Sequence, residues 1–489
     1  MKLKELFKGV QNITLSGNEN EEIKGIAYSS KKVDSGYLFA ALKGENFDGS
    51  NFIKEAVEKG AVAVLSENPR KNKIVNNWIQ VNNAREALAL CSANFYSHPS
   101  KKLKTIGITG TKGKTTISYI LENILKKSGE RPGVIGTISY RGPHINIPAE
   151  RTTPEAPDIQ RIMKEMLNQN VTHCLIEVSS HSIELNRILG IDFDVEIFTN
   201  LSGEHLDYHQ TMDHYFNAKK KLFLQGNKKR IAIINQDDPW GKKLISLLPL
   251  NIISYGIEEG ALIKAQKYNL SEHGTNISVK YPGGSLSVSS PMLGKPNLYN
   301  LLASIATSLV LKVTIPAIKE GTALFKGAPG RFEEIKNSFG FRIFVDYAHT
   351  DAALEYSLET MKILNPNKII LVFGAGGDRD KTKRERMGKV AGTHAHLSII
   401  TNDNPRSEDP SEIIAAIEKG IKQSKSDNYK IIPDRKKAIE YAINQGQKGD
   451  CILVAGKGHE NYQIIKNKVT HFDDAEIIKE ILNYKKGNS

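Results

Sequence analysis

The sequence predicts an α/β protein of three domains. Its 489 residues are too many for one hydrophobic core, since a domain typically has about 150 residues. From Thr105 onward, short apolar runs stop abruptly at polar residues, as in TIGITG, HCLIEVSS and IAIINQDD. This pattern is typical of buried parallel strands that end in polar loops.

The first segment, residues 1–103, alternates strand-like YLFAAL and AVAVLS with helix-like FIKEAVEKG and predicts a small α/β domain. Residues 104–329 carry the pattern of buried strands and predict a central parallel sheet. The cluster GAPGRFEEI then interrupts the helical pattern as a linker. Residues 330–489 repeat the strand pattern in FRIFVDYAH, IILVFGAGGDRD, LSIITNDNPR and DCILVAGKGHE, which predicts a Rossmann-like third domain whose ligands collect at the carboxyl ends of its strands.

Composition excludes several classes of protein. Apolar residues make up 39% and charged residues 25% of the chain, as in ordinary globular proteins. No apolar run approaches the ~20 residues of a membrane span, and the first residues lack the apolar core of a secretory signal. Cys91, Cys174 and Cys451 lie far apart, which argues against a disulfide framework or a zinc site. We therefore expect a cytoplasmic protein.

The net charge of +13 suits an anionic ligand such as a nucleotide or a sugar phosphate, but it equally suits a solvated basic surface. No block of Lys and Arg interleaves with aromatic residues, so nucleic-acid binding has no support beyond net charge. We expect a monomer with no nucleic-acid partner and no membrane span.

The strongest local motif is GITGTKGKTT, between a predicted strand and the helical ISYILENILKK. Backbone N–H groups near Gly110 and Gly113 can surround phosphates at a helix N-terminus, Lys114 can pair with the terminal phosphates, and Thr115 can bind Mg²⁺. The general motif has a glycine where this chain has Ile108, so the loop is a variant. It predicts ATP or GTP binding by a central domain of the phosphate-loop ATPase type.

Two later strand ends supply candidate metal ligands. Glu177 in EVSSHSIELNR and His205 in FTNLSGEHLDYHQTM would complete a magnesium site near the phosphate loop. Taken singly, a strand-end Glu is more often a capping residue and a lone His is more often structural. Their interpretation as ligands therefore depends on the phosphate loop.

The motifs GTKGKTT, EVSSH, TNLSGEHLDYH, GKPNLYN, GAPGRFE and VDYAHT, in this order, resemble the Mur ligase family from end to end. The resemblance implies an ATP-dependent amide ligase of peptidoglycan precursor synthesis, with Mg²⁺ as cofactor. Its three domains would bind mainly a UDP-linked muramoyl substrate, ATP and an amino acid. Within the family, the chain is most similar to the branch that adds the third residue to UDP-N-acetylmuramoyl-L-alanyl-D-glutamate.

The resemblance also assigns roles that the residues alone leave open. The residues that it places around ATP are Gly110, Thr111, Lys112, Gly113, Lys114, Thr115, Thr116, Asn297, Asn300, Arg331, Asp346 and His349. Those around the muramoyl-dipeptide are Ser30, Thr152, Thr153, Ser179 and Arg187. Lys219 in HYFNAKKKLF, otherwise a residue of a solvated helix face, matches a lysine that CO₂ converts to N6-carboxylysine, a further magnesium ligand. The implied catalytic set is Lys114, Glu177, His205 and Lys219.

Three strand ends of the third domain, GDRD, DNPR and GKGHE, are expected to converge on an amino-acid pocket with both signs of charge. The residues assigned to this pocket are Arg379, Asp403, Asn404, Pro405, Arg406, Gly456 and Glu460. In the resembling family, DNPR marks enzymes that use meso-2,6-diaminopimelate, and its arginine binds the distal carboxylate. Arg406 would thus set specificity. The alternative is an Asn-Pro turn that begins a helix.

The expected reaction phosphorylates the D-glutamyl side-chain carboxylate with ATP, and the diaminopimelate amine then attacks the acyl phosphate. Ligation of L-lysine and a folylpolyglutamate-type ligase are alternatives from the same class. An ATPase that drives a nucleic-acid or protein partner, and a nucleotide-binding regulator without catalysis, are alternatives from other classes.

Overall fold

The computed structural model describes residues 1–44, 47–70, 73–225, 229–249, 251–424 and 426–487. Contacts divide the chain into two compact units. The first unit contains Met1–Lys264 and Ala303–Ala317, and the second contains Ala265–Leu302 and Ile318–Ser489. The following paragraphs describe each unit by itself.

The first unit begins with a small sheet whose strands are β1 Ile13–Ser16, β2 Gly25–Ala27, β3 Tyr37–Ala40, β4 Ala61–Ser66 and β5 Asn77–Val81. Its helices are α1 Leu3–Leu6, α2 Ile53–Glu58 and α3 Ala84–Phe95, with 3₁₀ turns at Ser30–Lys32, Gly49–Phe52 and Pro99–Lys101. The strand order is β1-β5-β4-β3-β2, and only the β1–β5 pair is antiparallel in this sheet as described. The predicted strands YLFAAL and AVAVLS are β3 and β4, and FIKEAVEKG contains α2.

The central sheet of the first unit contains β6 Lys104–Thr109, β7 Pro132–Ile135, β8 Ser139–Arg141, β9 Asn146–Pro148, β10 His173–Glu177, β11 Val195–Phe198, β12 Ile231–Asn235, β13 Asn251–Gly256 and the first two residues of β14 Ile263–Ser271, whose other residues belong to the second unit. Its helices are α4 Lys114–Lys127, α5 Ala156–Asn168, α6 Ser180–Glu184, α7 Leu206–His209, α8 Met212–Lys220 and α9 Pro239–Leu247, with a 3₁₀ turn at Lys221–Leu224. The strand order is β9-β8-β7-β10-β6-β11-β12-β13-β14. From β7 to β13 the pairs are parallel, and β10, β6 and β11 lie side by side.

The middle of this sheet is apolar on both faces, as parallel sheets covered by helices must be. Side chains of Ile108, Ile176 and Phe198 are all fully excluded from solvent. Because neighbouring strands run the same way, the loops that follow β6, β10 and β11 emerge at one edge. That edge carries the phosphate loop, Glu177 and the segment with His205.

The second unit adds the hairpin β15 Gly274–Tyr281 and β16 Gly284–Ser290. Residues of α10 Lys295–Val310 and of α11 Ile315–Ala323 belong partly to each unit, since Ala303–Ala317 is assigned to the first. The sheet of the second unit contains β17 Glu333–Ile335, β18 Arg342–Asp346, β19 Ile369–Phe373, β20 Leu397–Ile400, β21 Tyr429–Ile431 and β22 Cys451–Ala455. The remaining elements are α12 Asp351–Lys362, α13 Thr382–His394, α14 Pro410–Gln423, α15 Arg435–Gln445, the hairpin β23 Tyr462–Ile465 and β24 Lys468–His471, and α16 Asp474–Gly487.

The strand order of this last sheet is β17-β18-β22-β19-β20-β21, and all its pairs except β17–β18 are parallel. Each predicted strand of the third domain is present, and its polar continuation follows the carboxyl end. The prediction of a three-domain α/β protein with mainly parallel sheets is confirmed. Among the described residues, no helix combines the length and the apolar character needed to cross a membrane.

Candidate active site

The phosphate loop joins β6 to α4 through two glycines in the left-handed region. Gly110 has φ +145° and Gly113, directly before α4, has φ +93°. A Cβ atom on Gly110 would lie 1.9 Å from the Thr199 hydroxyl oxygen, so only glycine fits there. The loop therefore approaches β11 closely and directs the N-terminus of α4, with its unpaired N–H groups, toward the sheet edge.

The side chains of the loop are held by local contacts. The Lys114 Nζ atom donates to the carbonyl oxygens of Gly110 at 2.8 Å and Thr111 at 3.0 Å. Lys112 forms a 3.0 Å ion pair with Glu204. Thr116, in the first turn of α4, is buried. The two hydrogen bonds of Lys114 hold its ammonium group against the loop, where the phosphates of a nucleotide would bind.

Glu177, at the end of β10, is fully buried and accepts hydrogen bonds from three hydroxyl groups. Thr115 donates at 2.8 Å, Thr137 at 2.7 Å and Ser118 at 3.2 Å. Two residues predicted as magnesium ligands, Thr115 and Glu177, are thus direct neighbours. Their oxygen atoms are donors of the kind that Mg²⁺ prefers.

Lys219 lies on the last turn of α8 and is 1% exposed, whereas Lys220 and Lys221 reach solvent. Its Nζ atom donates to the Gly110 carbonyl at 3.0 Å and lies 4.7 Å from the centre of the Tyr215 ring. Burial, and then the charge of Lys114, lower the pKa of Lys219 well below that of an ordinary lysine. Lys219 therefore differs from its two lysine neighbours in burial.

His205 has a left-handed backbone with φ +58° and lies in an aromatic cluster. Its ring centre is 5.0 Å from that of His181 and 6.2 Å from that of Tyr215. Burial lowers the pKa of His205 to about 3, so the imidazole is neutral at physiological pH. A neutral imidazole is the form that binds a metal. Within the described residues, however, no three His, Cys, Asp or Glu side chains are grouped as a metal site.

Four residues predicted for the muramoyl-dipeptide lie around the same strand end. The Thr153 hydroxyl donates to the Glu177 carbonyl at 2.7 Å and accepts from the Ser179 N–H at 3.1 Å. Thr152 is 3.1 Å from the hydroxyl oxygen of Thr137. Arg187 donates to the Thr153 carbonyl at 3.2 Å.

Ser30, the fifth residue of this set, lies in the small N-terminal sheet domain. Its hydroxyl donates to Glu55 at 2.9 Å, beside the strand end of β2. Two residues earlier, the Tyr28 hydroxyl donates to Asp158 of α5 at 2.6 Å. The N-terminal sheet is therefore bonded to the central domain near Ser30.

A buried carboxylate that the sequence interpretation missed collects three arginines. Glu155, just before α5, forms ion pairs with Arg85 at 3.2 Å, Arg151 at 2.8 Å and Arg187 at 3.0 Å. The Nε atom of Arg187 is buried and has no hydrogen-bond partner in the described part of the chain. Three guanidinium groups around one carboxylate leave an excess of positive charge. No sequence pattern connects residues 85, 151 and 187.

In the second unit, the end of β18 and the loop after it hold two of the four residues predicted for the adenine and ribose, Asp346 and His349. Asp346 accepts from the Phe332 N–H at 2.6 Å and from the Ser357 hydroxyl at 3.0 Å, and burial raises its pKa. The guanidinium of Arg331 lies 4.5 Å from the centre of the Tyr347 ring. The ring of His349 is 4.5 Å from that of Tyr347.

Asn297 and Asn300 lie in the first turns of α10. The Asn297 amide donates to the Leu293 carbonyl at 2.8 Å, and the Asn300 amide donates to Asn297 at 3.0 Å. The Nε atom of Arg331 is buried and has no hydrogen-bond partner among the described residues.

The DNPR and GKGHE motifs come together at the carboxyl ends of β20 and β22. The Asn404 amide donates to Glu460 at 2.8 Å. Gly456 has φ +116°, and a Cβ atom there would lie 2.4 Å from the Asp403 carboxylate. Burial, and then the charge of Asp403, raise the pKa of Glu460. The Tyr347 hydroxyl donates to Glu460 at 3.3 Å, which links this cluster to the loop after β18.

Arg406 has a left-handed backbone with φ +53°, and its Nη1 atom donates to the Gly377 carbonyl at 2.6 Å. Pro405 is buried, and its carbonyl packs so closely on Gly377 that a Cβ atom there would lie 1.9 Å away. Arg379 lies in the same loop after β19 and is exposed. The GDRD loop thus contacts the DNPR segment through Gly377.

Two buried cations that the sequence interpretation did not single out lie beneath this cluster. Lys457 is fully excluded from solvent, donates to the Tyr462 carbonyl and lies 3.8 Å from Glu460. Arg435 donates to Asp474 at 2.8 and 2.7 Å and to the Ala455 carbonyl at 2.9 Å. Lys457 could have been noticed as part of GKGHE, whereas Arg435 carries no local signal.

Comparisons with known proteins cover nearly the whole chain. Family profiles match residues 22–96 (Mur ligase family, catalytic domain), 108–308 (Mur ligase middle domain) and 330–458 (Mur ligase, glutamate ligase domain). A relative from Caldanaerobacter subterraneus subsp. tengcongensis, a UDP-N-acetylmuramoyl-L-alanyl-D-glutamate--2,6-diaminopimelate ligase, is 42% identical over 99% of both chains.

A solved structure of a ligase with that same name is similar over 99% of both chains, with 32% identity and a TM-score of 0.71. A MurF ligase from Thermotoga maritima, solved in complex with ADP, covers 95% of this chain with 21% identity and a TM-score of 0.65, which is a likeness of fold. Full-length similarity at 42% identity is decisive. The chain belongs to the Mur ligase family, whose enzymes form amide bonds with ATP.

Proposed function

We propose that this ligase joins meso-2,6-diaminopimelate to the D-glutamyl residue of UDP-N-acetylmuramoyl-L-alanyl-D-glutamate in peptidoglycan precursor synthesis. The observation that carries the proposal is the cluster of Asp403, Arg406 and Glu460, which presents both signs of charge at one sheet edge. A zwitterionic amino acid with a second charged end suits such a cluster. Relatives at about 40% identity with the same printed substrates support the choice.

The muramoyl-dipeptide would bind along the strand ends of the first unit. Thr152, Thr153 and Ser179 supply hydroxyl groups, and Arg187 supplies a guanidinium with a buried N–H that has no partner among the residues described by the structure. An anionic diphosphate or carboxylate would satisfy that N–H, since guanidinium pairs with both groups in bidentate fashion. Ser30 would bind the uracil end. The three proposed domains are residues 1–103, 104–329 and 330–489.

ATP would bind with its phosphates on the loop between β6 and α4. The residues assigned to it there are Gly110, Thr111, Lys112, Gly113, Lys114, Thr115 and Thr116. A phosphate would offer the Lys114 ammonium a stronger acceptor than the two carbonyl oxygens that it now contacts. In the second unit, Asn297, Asn300, Asp346 and His349 are assigned to the base and sugar, and Arg331 to the phosphates.

The residues around Glu177 fit a magnesium ion. Thr115 and Glu177 supply adjacent oxygen donors, and His205 supplies a neutral imidazole. A bound Mg²⁺ ion would neutralise charge on the phosphates. Lys219 would be a further ligand of the ion as N6-carboxylysine. Its amine is suited to that modification, because a buried amine with a lowered pKa is the unprotonated nucleophile with which CO₂ reacts.

The reaction then has two steps. The D-glutamyl side-chain carboxylate attacks the γ-phosphorus of ATP, and the bond to ADP breaks to give an acyl phosphate. The amine of diaminopimelate attacks the acyl carbon, phosphate leaves, and the amine loses its proton. Lys114 and the N–H groups of the loop stabilise the charge on the transferred phosphoryl group.

We also propose that the enzyme is a monomer and that it lies in the cytoplasm. Its three cysteines, Cys91, Cys174 and Cys451, are buried and free, as in proteins of a reducing compartment. The substrates are a nucleotide-linked precursor, ATP and an amino acid.

The test measures phosphate release with UDP-N-acetylmuramoyl-L-alanyl-D-glutamate and ATP, and compares meso-diaminopimelate with L-lysine. Strong preference for diaminopimelate is expected, since Arg406 would pair with the carboxylate that lysine lacks. Arg406→Met should reduce kcat/KM for diaminopimelate by about a hundredfold or more, with little effect on lysine. Arg342→Met is the matched control, because Arg342 begins β18 and so lies at the edge of the sheet opposite to the strand ends that carry Arg406. Preference for lysine, or turnover with neither amine, would refute the proposal.

A further inference from the structure

The hairpin β23–β24 is bonded directly to the DNPR segment. The Arg406 N–H donates to the Ile464 carbonyl at 3.1 Å, and the Lys466 N–H donates to the Arg406 carbonyl at 2.7 Å. The Ile464 N–H donates to the Asn404 side-chain oxygen at 2.9 Å. The hairpin thus binds this segment through its backbone, beside the residues that would contact the amino acid.

Gln463 adds a side-chain bond to the same segment. Its Nε2 atom donates to the Asp403 carbonyl at 2.9 Å, and only 9% of the residue is exposed. A buried carbonyl oxygen without a partner is unfavourable, so the amide fixes the peptide that follows Asp403. The carboxylate of Asp403 projects from this residue toward Gly456.

The conformation that the hairpin holds is one that arginine rarely adopts. Arg406 is left-handed, and a side chain there is strained unless its surroundings determine it. Both backbone polar groups of Arg406 pair with the hairpin. With its backbone fixed in this way, the guanidinium reaches the Gly377 carbonyl.

We propose that the hairpin β23–β24 is a specificity element of the ligase and that Gln463 is its positioning residue. Gln463 acts through Asp403 and the DNPR backbone, which it keeps in the geometry that directs Arg406 to the distal end of the amino acid. This inference rests on the proposed function. It assigns selectivity to residues outside the pocket itself.

The test compares Gln463→Met with Gln447→Met, which makes the same change at an exposed position. Methionine keeps the length of the side chain and removes its donor. In Gln463→Met, KM for meso-diaminopimelate should rise about tenfold, the effect of one buried hydrogen bond, with kcat within about twofold. The preference over L-lysine should fall by a similar factor, and KM for ATP should not change.

Hydrogen exchange on the full-length variant provides a second measurement that does not depend on turnover. The amides of Arg406 and Ile464 should exchange faster in Gln463→Met, while amides in the first unit keep their protection. Unchanged KM and selectivity would overturn the inference, and so would a loss of kcat with all substrates that accompanies a lower Tm. A wild-type enzyme with no preference for diaminopimelate would instead refute the proposed function.

Discussion

Removal of the Asp474 charge should destabilise the second unit far more than removal of a surface charge nearby. Arg435 and Asp474 are both fully excluded from solvent and share two hydrogen bonds, at 2.8 and 2.7 Å. Asp474→Asn leaves the guanidinium buried without the counter-charge that bonds it. Loss of one partner of such a pair costs about 3–5 kcal/mol.

The same two helices supply the matched control. Lys436 and Glu480 form a 2.8 Å ion pair between α15 and α16, but their side chains are 47% and 61% exposed. Glu480→Gln should therefore cost at most about 1 kcal/mol, because solvent already screens that pair. Asp474 and Glu480 lie on the same helix, so the difference between the two losses of stability measures the effect of burial.

The double variant Arg435→Met with Asp474→Leu separates charge from packing. It removes both charges but leaves the Ala455 carbonyl without the 2.9 Å bond from Arg435. An unpaired buried carbonyl costs about 1–3 kcal/mol, so the double variant should be more stable than Asp474→Asn. Urea unfolding gives the free energies. A loss below about 1 kcal/mol for Asp474→Asn, or a double variant less stable than it, would refute the reasoning.

Two further predictions concern buried titratable groups. Lys219→Ala should abolish phosphate release, whereas Lys220→Ala should retain most of it; near-normal turnover of Lys219→Ala would contradict the proposed carboxylysine. Burial lowers the pKa of His459 from 6.5 to about 3, so the unfolded chain binds a proton that the folded protein excludes. The contribution of neutral His459 to the free energy of unfolding is fully present above pH 6.5. It decreases as the pH falls toward 3, by up to about 1.4 kcal/mol per pH unit. In His459→Gln, the urea midpoint should therefore fall less between pH 6 and pH 4 than it does in the wild type. An equal fall in both proteins would contradict the lowered pKa of His459.

Much of the fold could be predicted because its strands are short, apolar and buried on both faces. Runs such as CILVA and IILVF admit few other conformations when polar loops follow them. The rule that ligands collect at the ends of parallel strands then predicts that DNPR and GKGHE lie together. The structure places Asn404 and Glu460 in direct contact, in agreement with that prediction.

The remaining features depend on contacts between residues that are distant in the chain. Glu155 pairs with Arg85 because of how α3 and α5 pack, which no local pattern reveals. Arg406 is left-handed because a hairpin some sixty residues later pairs with it, with Asn404 and Ile464 as the linked residues. Lys219 is buried although it is one of three consecutive lysines, and its ammonium group donates to the carbonyl of Gly110, over a hundred residues away in the chain. Tertiary packing decides these cases.

The Arg435–Asp474 ion pair joins residues 39 positions apart, so it can form only after synthesis of the chain has reached α16. Asp474 follows every residue of the amino-acid cluster in the chain, and Arg435 has no other carboxylate bonded to it in the described structure. Until α16 has been synthesised, Arg435 lacks the carboxylate that bonds it, and the nearest negative charges are those of Asp403 and Glu460. The nascent chain thus contains every residue of the first unit, which ends at Ala317, well before it contains Asp474.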